Sequence, residues 1–228
     1  MGESVKLPSI PESRFPIPAQ ETPLYARVNV IGFKPEALAI ATQRYRESSL
    51  PMIQAWEGFH GALAMMQPLT GKVFTLSIWE TAAQRDESGL RIEYIQNLSS
   101  YGELIGGSMT RESYDVVVST LRPAMPGDEQ IRAWGRVTTG HVPPDRWDDA
   151  IEMLTPMVAD MGENQSHQGS MMLVNRALSK IVIVGVWDSR RAISATDDEV
   201  HAQAYLVRRS GNLSASPTHE VYEIVSFA

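Results

Sequence analysis

The chain of 228 residues contains no cysteine. Disulfide bonds, thiolate metal sites and a cysteine nucleophile are therefore excluded. It has no apolar run near the roughly 18 residues that a membrane-spanning helix requires. Positive charge is also sparse: 20 Lys and Arg stand against 27 Asp and Glu, for a net charge of −7. The basic residues are scattered, the longest clusters being the pairs Arg190–Arg191 and Arg208–Arg209. Such a distribution opposes non-specific binding to nucleic acid or anionic lipid. The five histidines, His60, His141, His167, His201 and His219, include no closely spaced ligand pair, so no metal site is expected.

What the chain does have begins with proline. Pro8, Pro11, Pro16, Pro18 and Pro23 forbid a helix over residues 1–23 and favour an extended arm. Ile10, Phe15 and Ile17 would let that arm lie on a partner or neighbouring surface; a disordered tail is the equal alternative. The stretch is not the charged stub and apolar core of a secretory signal, so a cytoplasmic protein is expected.

An internal repeat follows. Displaced by 108 positions without a gap, Gly32 falls on Gly140, Pro35 on Pro143, Gly61 on Gly169, Lys72 on Lys180 and Trp79 on Trp187. Glu112 then meets Glu220 and Tyr114 meets Tyr222. The periodicities change in the same order in both halves. An alternating strand (25–33; 131–139) precedes an amphipathic helix from Pro35 and from Pro143. In the second copy Trp147, Ala150, Ile151, Leu154, Val158 and Met161 mark the helix's buried face. Pro51 and Pro156 predict a kink or an early end in these helices. Two strands joined by a tight turn come next (59–67 with 72–79; 168–175 with 180–187). A second helix follows, carrying in the second copy a Thr196-Asp-Asp-Glu199 capping box. A last strand closes each unit. The expected organisation is an arm (1–23), a first unit (24–121), a linker (122–130) and a second unit (131–228).

The order βαββαβ, twice, predicts an α+β protein of two ferredoxin-like units packed sheet to sheet. Ile181-Val-Ile-Val-Gly-Val-Trp187 has no polar side in its alternation, as expected of a strand covered on both faces. One face would meet the unit's own helices and the other the sister sheet.

Glu57-Gly-Phe-His-Gly61, the hairpin Gly71-Lys72 and the strand end Ser77-Ile-Trp-Glu-Thr81 resemble the antibiotic-biosynthesis monooxygenase family. His167-Gln-Gly169 and Val186-Trp-Asp-Ser189 carry the resemblance into the second copy. It covers about 95 residues of each repeat and implies a fused dimeric α+β barrel. Barrels of this kind host monooxygenases, heme-degrading enzymes, isomerases and proteins without known chemistry. Heme-degrading relatives carry a tryptophan in the second helix and a histidine ten residues on. The matching positions here are Glu87 with Asn97, and Ala195 with Tyr205, so heme is disfavoured and no cofactor is expected. Some cofactor-independent quinone-forming relatives use an asparagine four residues before the third-strand tryptophan. Thr75 holds that place in the first copy and the apolar Ile183 in the second, which points to the first copy as the one with a working cavity.

The ligand-binding candidates are Asn29, Thr75, Ser77, Trp79, Tyr94 and Trp187, with Tyr45 a further phenolic donor; no catalytic residue can be named. Each has an ordinary reading. A strand-end tryptophan plugs sheet against helix, a helical tyrosine is half-buried packing, and the methionine pairs 65–66 and 171–172 fill a core. Three functions stand open. One is binding of an apolar or aromatic small molecule, with cofactor-independent oxygenation as its chemistry. A second is a scaffold that docks on a protein partner, or on a second copy, through barrel and arm. The third is heme binding through His201 of the second copy.

Overall fold

The structure is a computed structural model that describes residues 23–121, 133–160 and 166–228. The expected arm and linker, with Met161 and the start of the second unit at 131–132, lie outside the described residues. The first unit comprises β1 (Leu24–Phe33), α1 (Leu38–Arg44), α2 (Leu50–Gln54), β2 (Phe59–Gln67), β3 (Lys72–Trp79), α3 (Ala82–Ser88), α4 (Ile92–Ser99) and β4 (Ile105–Ser119). The second comprises β5 (Trp134–His141), α5 (Trp147–Asp160), β6 (His167–Asn175), β7 (Lys180–Trp187), α6 (Arg190–Ala195), α7 (Asp197–Arg209) and β8 (Thr218–Phe227).

Each unit pairs its strands in the ferredoxin-like order, β4-β1-β3-β2 and β8-β5-β7-β6, all antiparallel. The two sheets join at both edges. β2 pairs with β8 through Leu63 opposite Phe227 and Met65 opposite Ile224, and β4 pairs with β6 through Val116 opposite Leu173. An eight-stranded closed barrel results. Closure removes the four edges that two separate sheets would expose.

Alternation along the strands sends one set of side chains into the barrel and the other toward the helices. Val28, Leu63, Met65, Leu76 and Tyr114 meet Val137, Met171, Leu173, Val184 and Tyr222 in the barrel core. β7 is apolar on both sides for this reason: Val182, Val184 and Val186 point inward, while Ile181 belongs to the outer core with α5. The repeated Lys–Glu–Tyr set also finds its cause at closure. Lys72 of β3 reaches Glu220 of β8 at 2.5 Å, and Lys180 of β7 reaches Glu112 of β4 at 2.6 Å. Each carboxylate also accepts from its strand neighbour, Tyr222 at 3.2 Å or Tyr114. The pairs cross between units and are related by the repeat.

Several sequence expectations are corrected. The gapless register fails in the first strand. Asn29 pairs with Thr75 and Thr138 with Ile183, so β5 is set one residue further along than the rest of its repeat. Arg27 thus corresponds to Arg136 and Asn29 to Thr138, and the alignment of Gly32 with Gly140 is coincidental. A one-residue slip in a strand exchanges its faces, so this shift decides which side chains look at the helices. The helix expected from Pro143 starts only at Trp147, because a residue before proline is driven from the helical region and Pro144 follows. Pro156 does not end α5, which continues to Asp160. Pro51 acts upstream: Tyr45–Ser49 forms a π turn in which Leu50 N–H donates to Tyr45 O, and this separates α1 from α2. The capping box at Thr196 is absent. Thr196 Oγ1 donates to Ile193 O and accepts from Arg136, while Asp197 pairs with that same arginine. Helices α3 and α6 are capped by Thr81 and Ser189, whose hydroxyls accept from the N–H groups of Gln84 and Ala192.

Candidate functional site

Buried side chains of both units pack in the barrel interior, and in each unit a cavity lies between the outer face of its sheet and its helices. In the first unit this cavity measures about 80 Å³, or about 820 Å³ with its open mouth. The smaller figure is several times the roughly 10–15 Å³ that one water needs by the same kind of measure.

Its floor is the outer face of β1 and β3. Arg27, Asn29, Thr75, Ser77 and Trp79 all emerge there because Arg27 is paired with Ser77 and Asn29 with Thr75 across the ladder. Asn29 Nδ2 donates to Thr75 Oγ1 at 3.1 Å. The Asn29 carbonyl oxygen has no hydrogen-bond partner among the described residues. Trp79 is 1% exposed and donates through Nε1 to Ser77 Oγ at 3.0 Å. What it offers the cavity is an apolar ring rather than a donor. Phe59 meets that ring edge-on at 5.8 Å, and Trp56 stacks on it at 6.4 Å.

The roof comes from the helices. Tyr94 on α4 lies 6.4 Å from Trp56. Tyr45 projects from the π turn, and Ser49 Oγ joins Tyr101 at 2.6 Å and Asn97 Oδ1 at 2.6 Å. Burial pushes the Tyr45 phenol well above its ordinary range, with Tyr101 and Tyr94 adding to the shift. Burial likewise raises Tyr101, against the opposing pull of Ser49 and Arg44. Both are thus neutral hydrogen-bonding groups near pH 7 and not bases. Arg27, 3% exposed, donates from Nη1 to Ser88 Oγ at 2.9 Å. Burial is the main influence lowering its pKa, yet a guanidinium remains charged. Among the described residues the lining includes neither a carboxylate nor an imidazole.

Five of the six candidates, Asn29, Thr75, Ser77, Trp79 and Tyr94, are therefore brought to one cavity, and Tyr45 joins them. Trp187 stands apart in the second unit's cavity, also about 80 Å³. That cavity is less apolar than Ile183 alone suggests. Thr138 Oγ1 lies 2.9 Å from His219 Nδ1, and Gln203 and Arg136 also line it. His219 escaped notice because it sits in the last strand, opposite Thr138, where no short spacing connects the two. His167 Nε2 bonds Ser170 at 2.8 Å, and the ring packs on Trp187 at 4.9 Å. Burial lowers its pKa to about 4. Sequence reasoning missed Arg27, Ser49, Asn97 and Tyr101. A one-residue insertion in the first strand would have aligned Arg27 with Arg136 and exposed the first; the others carry no signal before the helices are placed.

A structure from Fusobacterium nucleatum subsp. nucleatum, provisionally assigned as a monooxygenase, superposes with a TM-score of 0.73 over 91% of this chain and 95% of its own, at 10% identity. An anthrone oxidase-like protein superposes at 0.67 over 93% and 96%, with 17% identity. A further provisional monooxygenase, from Lactobacillus acidophilus, gives 0.65 over 91% and 96%, with 12% identity. The chain is a fused dimeric α+β barrel. The resemblance first seen at the Gly-Phe element and the third-strand tryptophan thus holds at the level of fold. In sequence, no family model matches this fused barrel. Two uncharacterized proteins from two strains of Mycobacterium tuberculosis are each 25% identical over 192 residues, 82% of this chain and 82% of theirs. Among the described residues no helix is long and apolar enough to cross a membrane.

Proposed function

We propose that the first unit's cavity binds a small aromatic molecule and that its chemistry is oxygenation without a bound cofactor. The observation that carries this reading is the convergence of Asn29, Thr75, Tyr45 and Arg27 on a space walled by Trp79 and Tyr94. A scaffold needs no such cavity, and a ligand pocket is typically apolar with a few oriented polar groups. In this reading the aromatic rings align a planar substrate, and Asn29 with the phenols fixes its oxygens. The helices over the site keep water away.

The reaction fits a substrate with an acidic methylene beside a carbonyl. Loss of a proton to water at the open mouth of the cavity gives a resonance-stabilised carbanion, which adds dioxygen and takes up a proton to give a hydroperoxide. The peroxide then eliminates water, leaving a carbonyl at the former methylene. The substrate supplies all four electrons that dioxygen takes up; one oxygen atom enters the product as the new carbonyl, and the other leaves as water. Among the described residues the lining holds no strong base, so the protein's part is to stabilise the anion through Arg27 and neighbouring donors.

Anthrone, suggested by one of the structural neighbours, is the probe of choice. Wild-type protein should bind it saturably, quench tryptophan fluorescence, and convert it to anthraquinone with equimolar oxygen uptake. Trp79→Phe should weaken binding severalfold while Trp187→Phe leaves it unchanged. Anthrone that neither binds nor turns over faster than in buffer would defeat the proposal.

A further inference from the structure

The two units treat the same buried arginine in opposite ways. In the second unit Arg136 is neutralised: it pairs with Asp197 and donates to Ile193 O at 2.8 Å and to Thr196 Oγ1 at 3.2 Å. The first unit repeats part of that arrangement, with Ser88 in the place of Thr196 and its hydroxyl likewise donating one turn back, to Arg85 O at 2.8 Å. Yet the residue in the place of Asp197 is Gly89. A Cβ added there would stand 3.0 Å from Arg27 Nη2 and 3.1 Å from Arg111 Nη1. The carboxylate that the sister unit supplies is missing, and its position lies between two guanidinium groups.

Arg111 strengthens the asymmetry. It lies opposite Asn29 across the β1–β4 ladder, and its place in the second unit is taken by His219. It donates to Gly89 O at 3.4 Å and lies over the Tyr94 ring at 4.9 Å, with Arg27 5.8 Å from that same ring. The nearby carboxylate of Asp86 is already engaged by Arg85, through contacts of 2.8 and 3.1 Å. Two like charges are thus held near each other and, among the described residues, neither is paired with a carboxylate, Asp86 acting on Arg27 only from a distance, in a chain whose net charge is −7. Nothing in the folding of the first unit requires this, since the second closes the same turn with an aspartate.

We infer that the first unit's cavity recognises an anion: an aromatic molecule whose rings lie along Tyr94 and Trp79 and whose carboxylate reaches past the cavity lining, at Arg27 and Tyr94, to the position of the missing aspartate carboxylate between Arg27 and the exposed Arg111. Arginine suits this role because its planar fork matches a carboxylate with two parallel hydrogen bonds. The inference rests on the reading of the cavity as an aromatic site and adds the charge of what enters it.

The test compares naphthoate with its neutral isostere naphthamide, both titrated into the full chain by calorimetry. Wild-type protein should bind naphthoate about tenfold tighter or more, the effect of a charge-assisted pair of hydrogen bonds. Gly89→Asp, which gives the first unit its sister's carboxylate, should abolish that preference and leave naphthamide binding within about twofold. Arg111→Met, at an exposed position where folding is spared, should reduce the preference severalfold. Equal affinity of the two probes in the wild type, or a preference that survives both variants, overturns the inference while leaving the aromatic site in place. Saturable binding of neither probe would sink the inference together with the cavity reading on which it rests.

Discussion

Gly185 offers a sharp test of how the second unit is packed. A methyl group added there would lie 2.4 Å from Cη2 and 2.6 Å from Cζ3 of Trp187. Carbon atoms in contact sit at roughly 3.5–4 Å, so the indole would have to withdraw by about 1 Å. It has little room to do so: Trp187 is 1% exposed, His167 abuts it at 4.9 Å, and Arg136 lies over it at 5.5 Å. Gly185→Ala should therefore cost about 1–3 kcal/mol, the usual penalty of overpacking a filled core. Trp187→Phe alone should cost about 1–2 kcal/mol, part of the 3–5 kcal/mol typical of complete truncation. In the double variant the new methyl enters the space that the six-membered ring vacates. Its cost should fall short of the sum of the single variants by about 1 kcal/mol or more. Urea denaturation with a common slope would measure the cycle. Additivity within about 0.5 kcal/mol would refute the reasoning, because the two changes would then not share one volume. Ser77→Ala is the control in the first unit. There the ring is turned so that Nε1 meets the hydroxyl, and only a hydrogen bond of about 1 kcal/mol should be lost.

His167 should give the fold an acid-sensitive step. Its folded pKa of about 4 lies below the ordinary 6.5, so the unfolded chain takes up the proton first. Its contribution to stability is complete above pH 6.5 and declines as the pH falls toward 4; His167→Phe, which installs the first unit's Phe59 at this place, should flatten that part of the melting-temperature profile. Lys180→Met should cost about 1–2 kcal/mol in urea melts, because Glu112 keeps only Tyr114 and the pair is mostly shielded from solvent. Lys72→Met, at the more exposed pair, should cost less. Burial opposes ionisation of Glu112, but Lys180 and Tyr114 outweigh it and hold the carboxyl below its usual range. That stabilisation is present above the unfolded pKa and lost as the pH falls through the folded one, so Lys180→Met should reduce the acid-side loss. Leu63→Ala, in the barrel core at 1% exposure and away from the first unit's cavity lining, should cost about 2–5 kcal/mol in urea melts.

The sequence alone determined the repeat and the order of its elements, because periodicities of two and 3.6 residues are local properties of strands and helices. The doubly apolar β7 announced a second covering layer for the same reason. The resemblance brought Asn29, Thr75 and Trp79 forward as candidates, and alternation along the third strand set Thr75, Ser77 and Trp79 on one face. The first-strand register was decided only by tertiary structure. A gapless alignment favours identities such as Gly32 with Gly140, whereas the ladder is set by which side chains the barrel must enclose. That one-residue difference hid Arg27. Proline effects were legible in kind but not in place, as the π turn ahead of Pro51 and the late start of α5 show. Ser49, Asn97 and Tyr101 meet over the cavity across about 50 residues of chain, and no local pattern connects them. The fate of Thr196 and Asp197 depended on Arg136, some 60 residues earlier: a local rule favoured a helix cap, and a buried guanidinium in need of a carboxylate outweighed it. Gly89 carries the same lesson in reverse, because its missing side chain has meaning only once the fold has set two arginines around it.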